Sequence, residues 1–387
     1  MRNCLFFLFT FSFFNSFSQN KFPGFFYVKT YDSLPFLKYG LGEDRLGGAK
    51  MTYLDSNIIL KIVDSFKTDY KVQLSQLHSA YIDKSKVTKA EPPKQEQHLT
   101  DSWRVYGDSV FDYVTIQLDE KLPYKSVQEI DPAKIVVDIF GATSNTNWIT
   151  QLSSVKEIKN AWYEQPEDDV MRVIIELKHQ QHWGYTIFYD DLKKLTIKVK
   201  RQPSVLNLGK LVIAVDAGHG GNNQGASGIT SNIKEKDYTL LIAKELEKAL
   251  RQKKARVIMT RENDTTLSMP QRVYFLRQKS PDLLISVHLN SASSDTVRGV
   301  STYYRYIGFR PLSMAILHSM MKTGLNEFGN VGSFNFSLSG PTDYPNCLVE
   351  VAFLSNKNDE KKILDAKFRK QVALRIVAGI EDFLKNL

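Results

Sequence analysis

The most restrictive feature of this sequence is the alternation of short apolar runs with amphipathic stretches from Gly209 onward. The predicted strands are 210–215, 256–259, 282–287, 300–304 and 346–352, and the predicted helices are 237–253, 270–278, 311–327 and 366–384. In the first of these helices the apolar residues fall on one stripe, with Lys and Glu outside it. Alternating units of this length predict an α/β domain, with a mixed or parallel sheet flanked by helices.

Two regions before this one carry β-strand patterns. Residues 25–87 contain short alternating runs separated by Gly, Asp and Ser, which predicts a small antiparallel β unit. Residues 102–201 contain runs of Val, Ile and Tyr, which are frequent in strands. The stretch 85–100 contains Pro92-Pro93 and has no periodicity, so it is a candidate linker.

These patterns divide the chain into four parts. A length of 387 residues is more than one core usually supports. We predict a signal peptide at 1–18, a small β-barrel-like domain with a linker at 19–95, a second β-rich domain at 96–203 and the α/β domain at 204–387.

The first residues predict export. Met1-Arg2-Asn3 is followed by a mainly apolar run, 4–14, and a more polar stretch, 15–19, as in a secretory signal peptide. The apolar run is shorter than the roughly 20 residues that span a bilayer, which disfavours a permanent anchor. Cleavage after about Ser18 would leave Cys347 as the only cysteine. We therefore expect a protein of the cell envelope, periplasmic or extracellular, without an internal disulfide.

The overall composition excludes some classes of protein but does not identify a binding partner. Hydrophobic residues make up 42% of the chain and charged residues 24%, which excludes wholesale disorder and a polytopic membrane protein. The net charge of +9 favours an acidic polymer or an anionic surface as surroundings. Charge alone does not distinguish nucleic acid, membrane and cell-wall glycan.

Two histidines are predicted to meet at one edge of the α/β sheet. His219 lies in a glycine-rich turn just after the first predicted strand, and His288 directly follows the third. Open α/β sheets form their sites at the carboxyl ends of their strands. Two imidazoles at one such edge suggest a metal site.

Two glutamates complete the candidate site. Glu235, just before the first helix, is the natural third ligand, and two histidines with one glutamate leave Zn²⁺ an open position for water. Glu350 stands in an apolar strand, where an ionisable side chain suggests a role in proton transfer. The alternatives are that Glu235 only complements the helix dipole and that Glu350 pairs with Arg261 or Arg272.

Further polar residues near these positions have simpler interpretations. Asp216 and Asn290 are expected either to orient ligands or to shape the turn. His179 and His182 have the spacing of a metal pair but no third partner, so we expect them in a solvated loop.

Five segments carry a resemblance to a known family. They are IAVDAGHGG at 213–221, KEKD at 234–237, TR at 260–261, LISVHLN at 284–290 and LVEVAFLSN at 348–356. In this order they resemble the zinc-dependent N-acetylmuramoyl-L-alanine amidases of the amidase_3 family. Two positions depart from that family, which often has Asp-Pro-Gly-Ala where this chain has 223–226 (NQGA) and Arg-Gly where it has Val331-Gly332.

The resemblance implies a complete site and a substrate. His219, Glu235 and His288 would be the zinc ligands and Glu350 the catalytic carboxylate. The reaction implied is hydrolysis, by zinc-activated water, of the amide between N-acetylmuramic acid and L-alanine of the stem peptide. The implied partners are peptidoglycan, rather than nucleic acid, and an envelope or division-site activator protein.

The amino-terminal regions have weaker resemblances. Strand patterns at 131–138 and 171–177 are similar to those of the amidase N-terminal (AMIN) domain, which is implicated in placing such enzymes on the envelope. Residues 25–87 resemble bacterial Src-homology-three-like barrels, without a diagnostic motif.

Two other functions remain open at this point. The first is a catalytically silent wall-binding or activator protein on the same fold. The second is a zinc peptidase that cuts within the stem peptide.

Overall fold

The computed structural model describes residues 24–31, 34–42 and 46–387. The predicted signal peptide, 1–18, lies outside these residues. Over the described part of the chain, no helix has the length and apolar character needed to cross a membrane.

The first β region is an antiparallel sheet close to the amino terminus. Its strands are β1 (Phe26–Thr30), β2 (Phe36–Lys38), β3 (Lys50–Tyr53), β4 (Ile59–Ser65), β5 (Asp69–Gln73), β6 (Ser79–Asp83) and β7 (Val87–Lys89). They are ordered β3-β2-β6-β5-β4-β1-β7 in the sheet. The predicted linker 85–100 is therefore ordered in part, because Val87–Lys89 pairs with β1 and extends the sheet.

The second β region consists of two packed sheets and a short ladder. Its strands are β8 (His98–Leu99), β9 (Trp103–Gly107), β10 (Phe111–Gln117), β11 (Tyr124–Ile130), β12 (Ala133–Phe140), β13 (Ala142–Thr143), β14 (Ile149–Gln151), β15 (Ile158–Glu167), β16 (Val170–Leu177), β17 (Tyr185–Tyr189) and β18 (Lys194–Lys200). The sheets are ordered β14-β9-β10-β18-β17 and β11-β12-β16-β15. Alternate apolar side chains of both sheets enter one core, which is continuous with that of the first β region.

The α/β region follows as a mixed sheet with helices. Its elements are β19 (Val212–Ala217), α1 (Glu235–Gln252), β20 (Arg256–Met259), α2 (Met269–Lys279), β21 (Leu283–Asn290), β22 (Val300–Tyr303), α3 (Arg310–Met321), β23 (Glu327–Val331), β24 (Asn346–Phe353), α4 (Lys357–Leu364) and α5 (Ala366–Lys385). The sheet order is β20-β19-β21-β24-β22-β23. Only the β22–β24 pairing among these is antiparallel. The predicted fold class is confirmed: an α/β region with a mixed sheet follows strand-rich regions.

Two elements of the α/β region differ from the sequence prediction. The third predicted helix, 311–327, ends at Met321, and Glu327–Val331 instead forms the edge strand β23 beside β22. A short helix not foreseen, α4, begins after Asn356, whose side chain accepts hydrogen bonds from the amides of Asn358 and Asp359.

Candidate metal centre

Three neighbouring strands end at the candidate site, at one edge of the sheet. The parallel strands β19, β21 and β24 lie side by side, with Ala217 opposite Val287 and His288 opposite Glu350. Residues at the same level of paired parallel strands project to the same face. The His288 and Glu350 side chains are therefore neighbours, and His219 follows β19 at the same edge.

The turn that carries His219 is held by a buried arginine. His219 has a φ of 62°, in the left-handed region, and the turn continues through Gly220 and Gly221, both with positive φ. Arg272 donates hydrogen bonds to the carbonyl oxygen of His219 and to that of Ala217. An uncommon backbone conformation kept by buried contacts is typical of functional sites.

The ring of His219 is oriented by a hydrogen bond on its outer side. Its Nδ1 lies 2.8 Å from Oδ1 of Asn223, and its Nε2 lies 3.0 Å from Oε1 of Glu235. With a metal ion on Nε2, Nδ1 would carry the proton and donate it to the Asn223 amide oxygen. The amide oxygen of Asn223 is thus an uncharged partner for this ring nitrogen.

Glu235 enters the site as the first residue of α1. Its Oε2 accepts a hydrogen bond from the amide of Ala226 at 2.8 Å, and its Oε1 accepts one from the amide of Leu289 at 3.0 Å. Burial alone would raise the pKa of this carboxyl, but hydrogen bonds and charge from His219 and His288 outweigh it, so the pKa lies well below its ordinary value. The side chain is thus held as a carboxylate.

The ring of His288 packs against the backbone at Gly218, in the turn that carries His219. A Cβ on Gly218 would meet its ring atoms at 2.4–2.7 Å, so only glycine leaves room for the imidazole there. Nδ1 of His288 lies 3.0 Å from Oε1 of Glu235, while its buried Nε2 makes no hydrogen bond with the described residues. Burial lowers the pKa of the imidazole, but Glu235, Glu350 and Asp216 more than offset that effect and raise it.

The three side chains fit a metal ion by donor set and spacing. Ligand atoms of His219, Glu235 and His288 lie within 4.8 Å of one another. Ligands 2.0–2.1 Å from a tetrahedral zinc ion are about 3.3 Å apart, close to the 3.0 Å from Oε1 of Glu235 to each imidazole. Two imidazoles and one carboxylate are also the donor set of known catalytic zinc sites.

Glu350 lies in the same cleft as the three candidate ligands. The cleft has a volume of about 740 Å³ and also contains Asn290, Phe334 and Phe336. Burial and the charge of Glu350 raise the pKa of Tyr303, which lies beside it on β22. Tyr303 was not foreseen, because its position near Glu350 depends on the antiparallel pairing of β22 with β24.

The other polar residues near the site have supporting roles in the turn. Asp216 is buried and bonded by Arg272, by Thr260 at 2.7 Å and by Ser286 at 2.6 Å. Burial would raise its pKa, but the charge of Arg272 and these hydrogen bonds lower it. Asp216 therefore shapes the His219 turn through Arg272. Asn290 instead donates to the hydroxyl of Tyr303 at 3.3 Å.

The two arginines considered as partners of Glu350 bond elsewhere. Arg272 pairs with Asp216, and Arg261 donates to the carbonyl oxygens of Ala217 and Gly218 at 3.0 and 2.9 Å. Both therefore brace the backbone beneath the site.

Of the two histidines expected in a solvated loop, His179 is exposed but His182 is not. His182 is buried, with Nε2 2.7 Å from the carbonyl oxygen of Glu129. Nδ1 of His179 lies 2.8 Å from Oε2 of Glu157. The expectation of a solvated loop is therefore wrong for His182, which packs between the second β region and the α/β region beside Gly308.

Two protein-family profiles match parts of this chain. Residues 213–382 match the profile of the N-acetylmuramoyl-L-alanine amidase family, and residues 100–199 match that of the AMIN domain. A probable cell wall amidase LytH of Staphylococcus saprophyticus is 33% identical over 193 residues, which are 50% of this chain and 65% of that protein. The Staphylococcus aureus protein of the same name is 34% identical over 177 residues, 45% of this chain and 58% of the relative. The match thus spans about three fifths of these relatives.

Among solved structures, the catalytic domain of the amidase CwlV from Bacillus (Paenibacillus) polymyxa var. colistinus is 33% identical, with a TM-score of 0.44. The alignment covers 45% of this chain and 98% of that domain. The two profile matches identify residues 213–382 as a domain of the N-acetylmuramoyl-L-alanine amidase family, which follows an AMIN domain in the same chain.

Proposed function

We propose that the α/β region hydrolyses the amide between N-acetylmuramic acid and the L-alanine of the peptidoglycan stem peptide, with zinc as its cofactor. The observation that carries this proposal is the meeting of His219, Glu235 and His288 ligand atoms within 4.8 Å, in a cleft that contains Glu350. The match of residues 213–382 to the amidase family supports the choice of bond.

In this proposal His219, Glu235 and His288 hold the metal. Zinc bound there supplies Lewis acidity that polarises the scissile carbonyl and lowers the pKa of water. The chain prepares the ligands in advance, because backbone amides fix the Glu235 carboxylate and the contact with Asn223 sets the His219 tautomer.

Glu350 is assigned the proton transfers. It takes the proton that water loses as the water oxygen bonds to the carbonyl carbon, and it gives that proton to the L-alanine nitrogen as the C–N bond breaks. Its position opposite His288, on the neighbouring strand, supports this assignment, since adjacent strands are only about 4.8 Å apart.

The regions before the α/β region are assigned a role in bringing the enzyme to its substrate. We propose that residues 1–18 direct export to the envelope, that the β-rich regions 19–95 and 96–203, which share one hydrophobic core, place the enzyme on peptidoglycan, and that 204–387 carries the catalytic residues. An envelope activator belongs to the same proposal, and it would appear as a rise in activity when envelope extract is added.

The test is digestion of purified muropeptides by the full chain without residues 1–18. We expect free stem peptide, loss of that product with a chelator and recovery with zinc. Glu350→Gln should keep its zinc and lower kcat by about 10²- to 10⁴-fold. His219→Ala should lose both zinc and activity. His318→Ala, an exposed histidine on α3, is the matched control and should change neither.

Two results would contradict the assignment. Cleavage within the stem peptide would indicate a zinc peptidase. Binding to peptidoglycan without any product, in a protein that holds zinc, would indicate a silent wall-binding protein.

A further inference from the structure

One wall of the cleft is formed by two aromatic side chains on a loop of the α/β region. Phe334 and Phe336, here called the aromatic wall, are stacked with ring centroids 6.1 Å apart, and both line the cleft. The ring of Phe336 packs edge-on against that of His288, with centroids 5.5 Å apart, and the ring centroids of Phe334 and Tyr303 are 4.5 Å apart. The aromatic wall thus reaches from a candidate metal ligand to the neighbour of Glu350.

The residue between the two aromatic rings contacts a different part of the chain. Oδ1 of Asn335 accepts hydrogen bonds from the backbone amide of Lys50 at 3.1 Å and from its Nζ at 3.3 Å. Nδ2 of Asn335 donates to the carbonyl oxygens of Leu46 and Gly48 at 3.3 and 3.1 Å. Asn335 therefore ties the loop to the segment at the start of β3, in the first β region.

A second side chain strengthens the same junction. Arg305 donates to Oδ1 of Asn335 at 3.2 Å and also to the carbonyl oxygen of Lys50. Burial, followed by the positive charges of Arg305 and Lys38, lowers the pKa of Lys50 to about 8. The Lys50 side chain is thus half-buried at the junction.

The junction also brings the first β region to the cleft itself. Leu46 is among the residues that line the cleft, together with His219, His288 and the aromatic wall. Farther from the cleft, the hydroxyl of Tyr53 on β3 donates to the carbonyl oxygen of Ser337 at 3.2 Å, so the contact continues along the loop.

We infer that the first β region is part of the substrate site, and that Asn335 is a positioning residue that fixes the aromatic wall against the cleft through residues 46–50. This inference rests on the proposed function for the identity of the substrate, a muramoyl peptide. The first β region would then shape substrate binding in addition to any role in location.

The expected consequence is a change in affinity more than in turnover. If the aromatic wall is in place only part of the time, the apparent affinity falls by the fraction of molecules that remain competent. Loss of several hydrogen bonds at the junction should therefore raise KM by about threefold to thirtyfold. The candidate ligands and Glu350 lie on other elements, so kcat should stay within about twofold.

The experiment compares Asn335→Ala and Asn335→Asp with the full chain without residues 1–18. Asn335→Asp keeps the acceptor for Lys50 and Arg305 but loses the donor to Leu46 and Gly48, so its KM should lie between those of wild type and Asn335→Ala. The matched control is Asn358→Ala, an exposed asparagine on α4. KM and kcat are measured on one soluble muropeptide, and hydrogen exchange is measured over 332–340 and over β24.

The inference is supported by a raised KM, an unchanged kcat and faster exchange over 332–340 with β24 still protected. It is overturned if Asn335→Ala leaves KM and exchange at their wild-type values, or if activity rises, since the first β region would then cover the cleft and not build it. If wild type yields no product, the proposed function fails, and hydrogen exchange alone decides whether Asn335 holds the loop. If Asn335→Ala does not fold, Asn335→Asp decides by the same criteria.

Discussion

Replacing Arg272 by Met tests whether a buried ion pair holds the turn that carries His219. Arg272 is 1% exposed, pairs with Asp216 and donates to the carbonyl oxygens of Ala217 and His219. Methionine has a similar length and can fill the space, so the substitution removes the charge and the donors more than it removes volume.

The loss of stability in Arg272→Met depends on the buried Asp216 carboxylate, which remains without its charged partner. Asp216, also 1% exposed, would keep its hydrogen bonds from Thr260 and Ser286 but lose its charged partner. Leaving one member of a buried pair uncompensated costs about 3–5 kcal/mol. For a unit of about 150–250 residues, that cost lowers Tm by roughly 6–20 °C.

The assay is calorimetry of the full chain without residues 1–18, in chelator so that bound metal does not add to stability. Hydrogen exchange over β19 and β21 locates the loss, because a chain with several regions need not unfold in one step. Arg251→Met is the matched control. Its side chain is 55% exposed and pairs with Glu247 one helical turn away, so its loss should cost about 0.5 kcal/mol at most.

A second variant separates charge from packing. Asp216→Asn combined with Arg272→Met removes both charges, so it should be more stable than Arg272→Met alone by about 1–3 kcal/mol. The reasoning is refuted if the double variant is no more stable than the single one, or if Arg272→Met lowers Tm no more than Arg251→Met does.

Three further predictions concern other parts of the molecule. Gly218→Ala would press a methyl group against the ring of His288, so the affinity for zinc should fall about 10- to 100-fold. Competition with a chromophoric chelator measures that affinity. An unchanged affinity would contradict the proposed role of His288 as a zinc ligand. Burial raises the pKa of Cys347 to about 12, so a thiol reagent should label the native protein far more slowly than the unfolded one, and equal rates would contradict that burial. Burial would raise the pKa of the Asp138 carboxyl, but hydrogen bonds and charge from Arg172 outweigh burial and lower that pKa. The ion pair therefore stabilises the folded state at pH values above the unfolded-state pKa of about 3.9. This stabilisation is lost as the pH falls below that value. Asp138→Asn should therefore cost about 1–3 kcal/mol at pH 7 in denaturant titrations and progressively less below about pH 4; a gap that does not change with pH would refute this.

Much of the site could be predicted because its signals are local. His219 and His288 each follow an apolar strand directly, and the rule that parallel strands present their carboxyl ends at one edge brings them together without knowledge of the full topology. Glu235 could be included because the start of an amphipathic helix is visible in sequence. The structure brings ligand atoms of all three within 4.8 Å, although their role as metal ligands stays a prediction.

The features that could not be predicted depend on partners far away in sequence. Glu327–Val331 continues a helical pattern locally, but pairing with β22 makes it an edge strand. His182 has a polar neighbourhood in sequence, yet its contact with Glu129 is formed only when two regions pack together. Local propensity is a weak guide where such tertiary contacts decide the outcome.

The junction at Asn335 is the clearest case, and it bears on how the regions of this chain work together. Its hydrogen bonds to Lys50 join residues 285 positions apart, so no periodicity or motif could reveal them. A region that served only to attach the enzyme to the wall would gain nothing from contact with the cleft, and a flexible link would suffice. Here the contact instead falls on the residue between Phe334 and Phe336, so movement of the first β region would move the aromatic wall. If the first β region attaches the chain to peptidoglycan, as proposed, attachment and substrate binding are coupled. A mechanical load on that region should then change KM before it changes kcat.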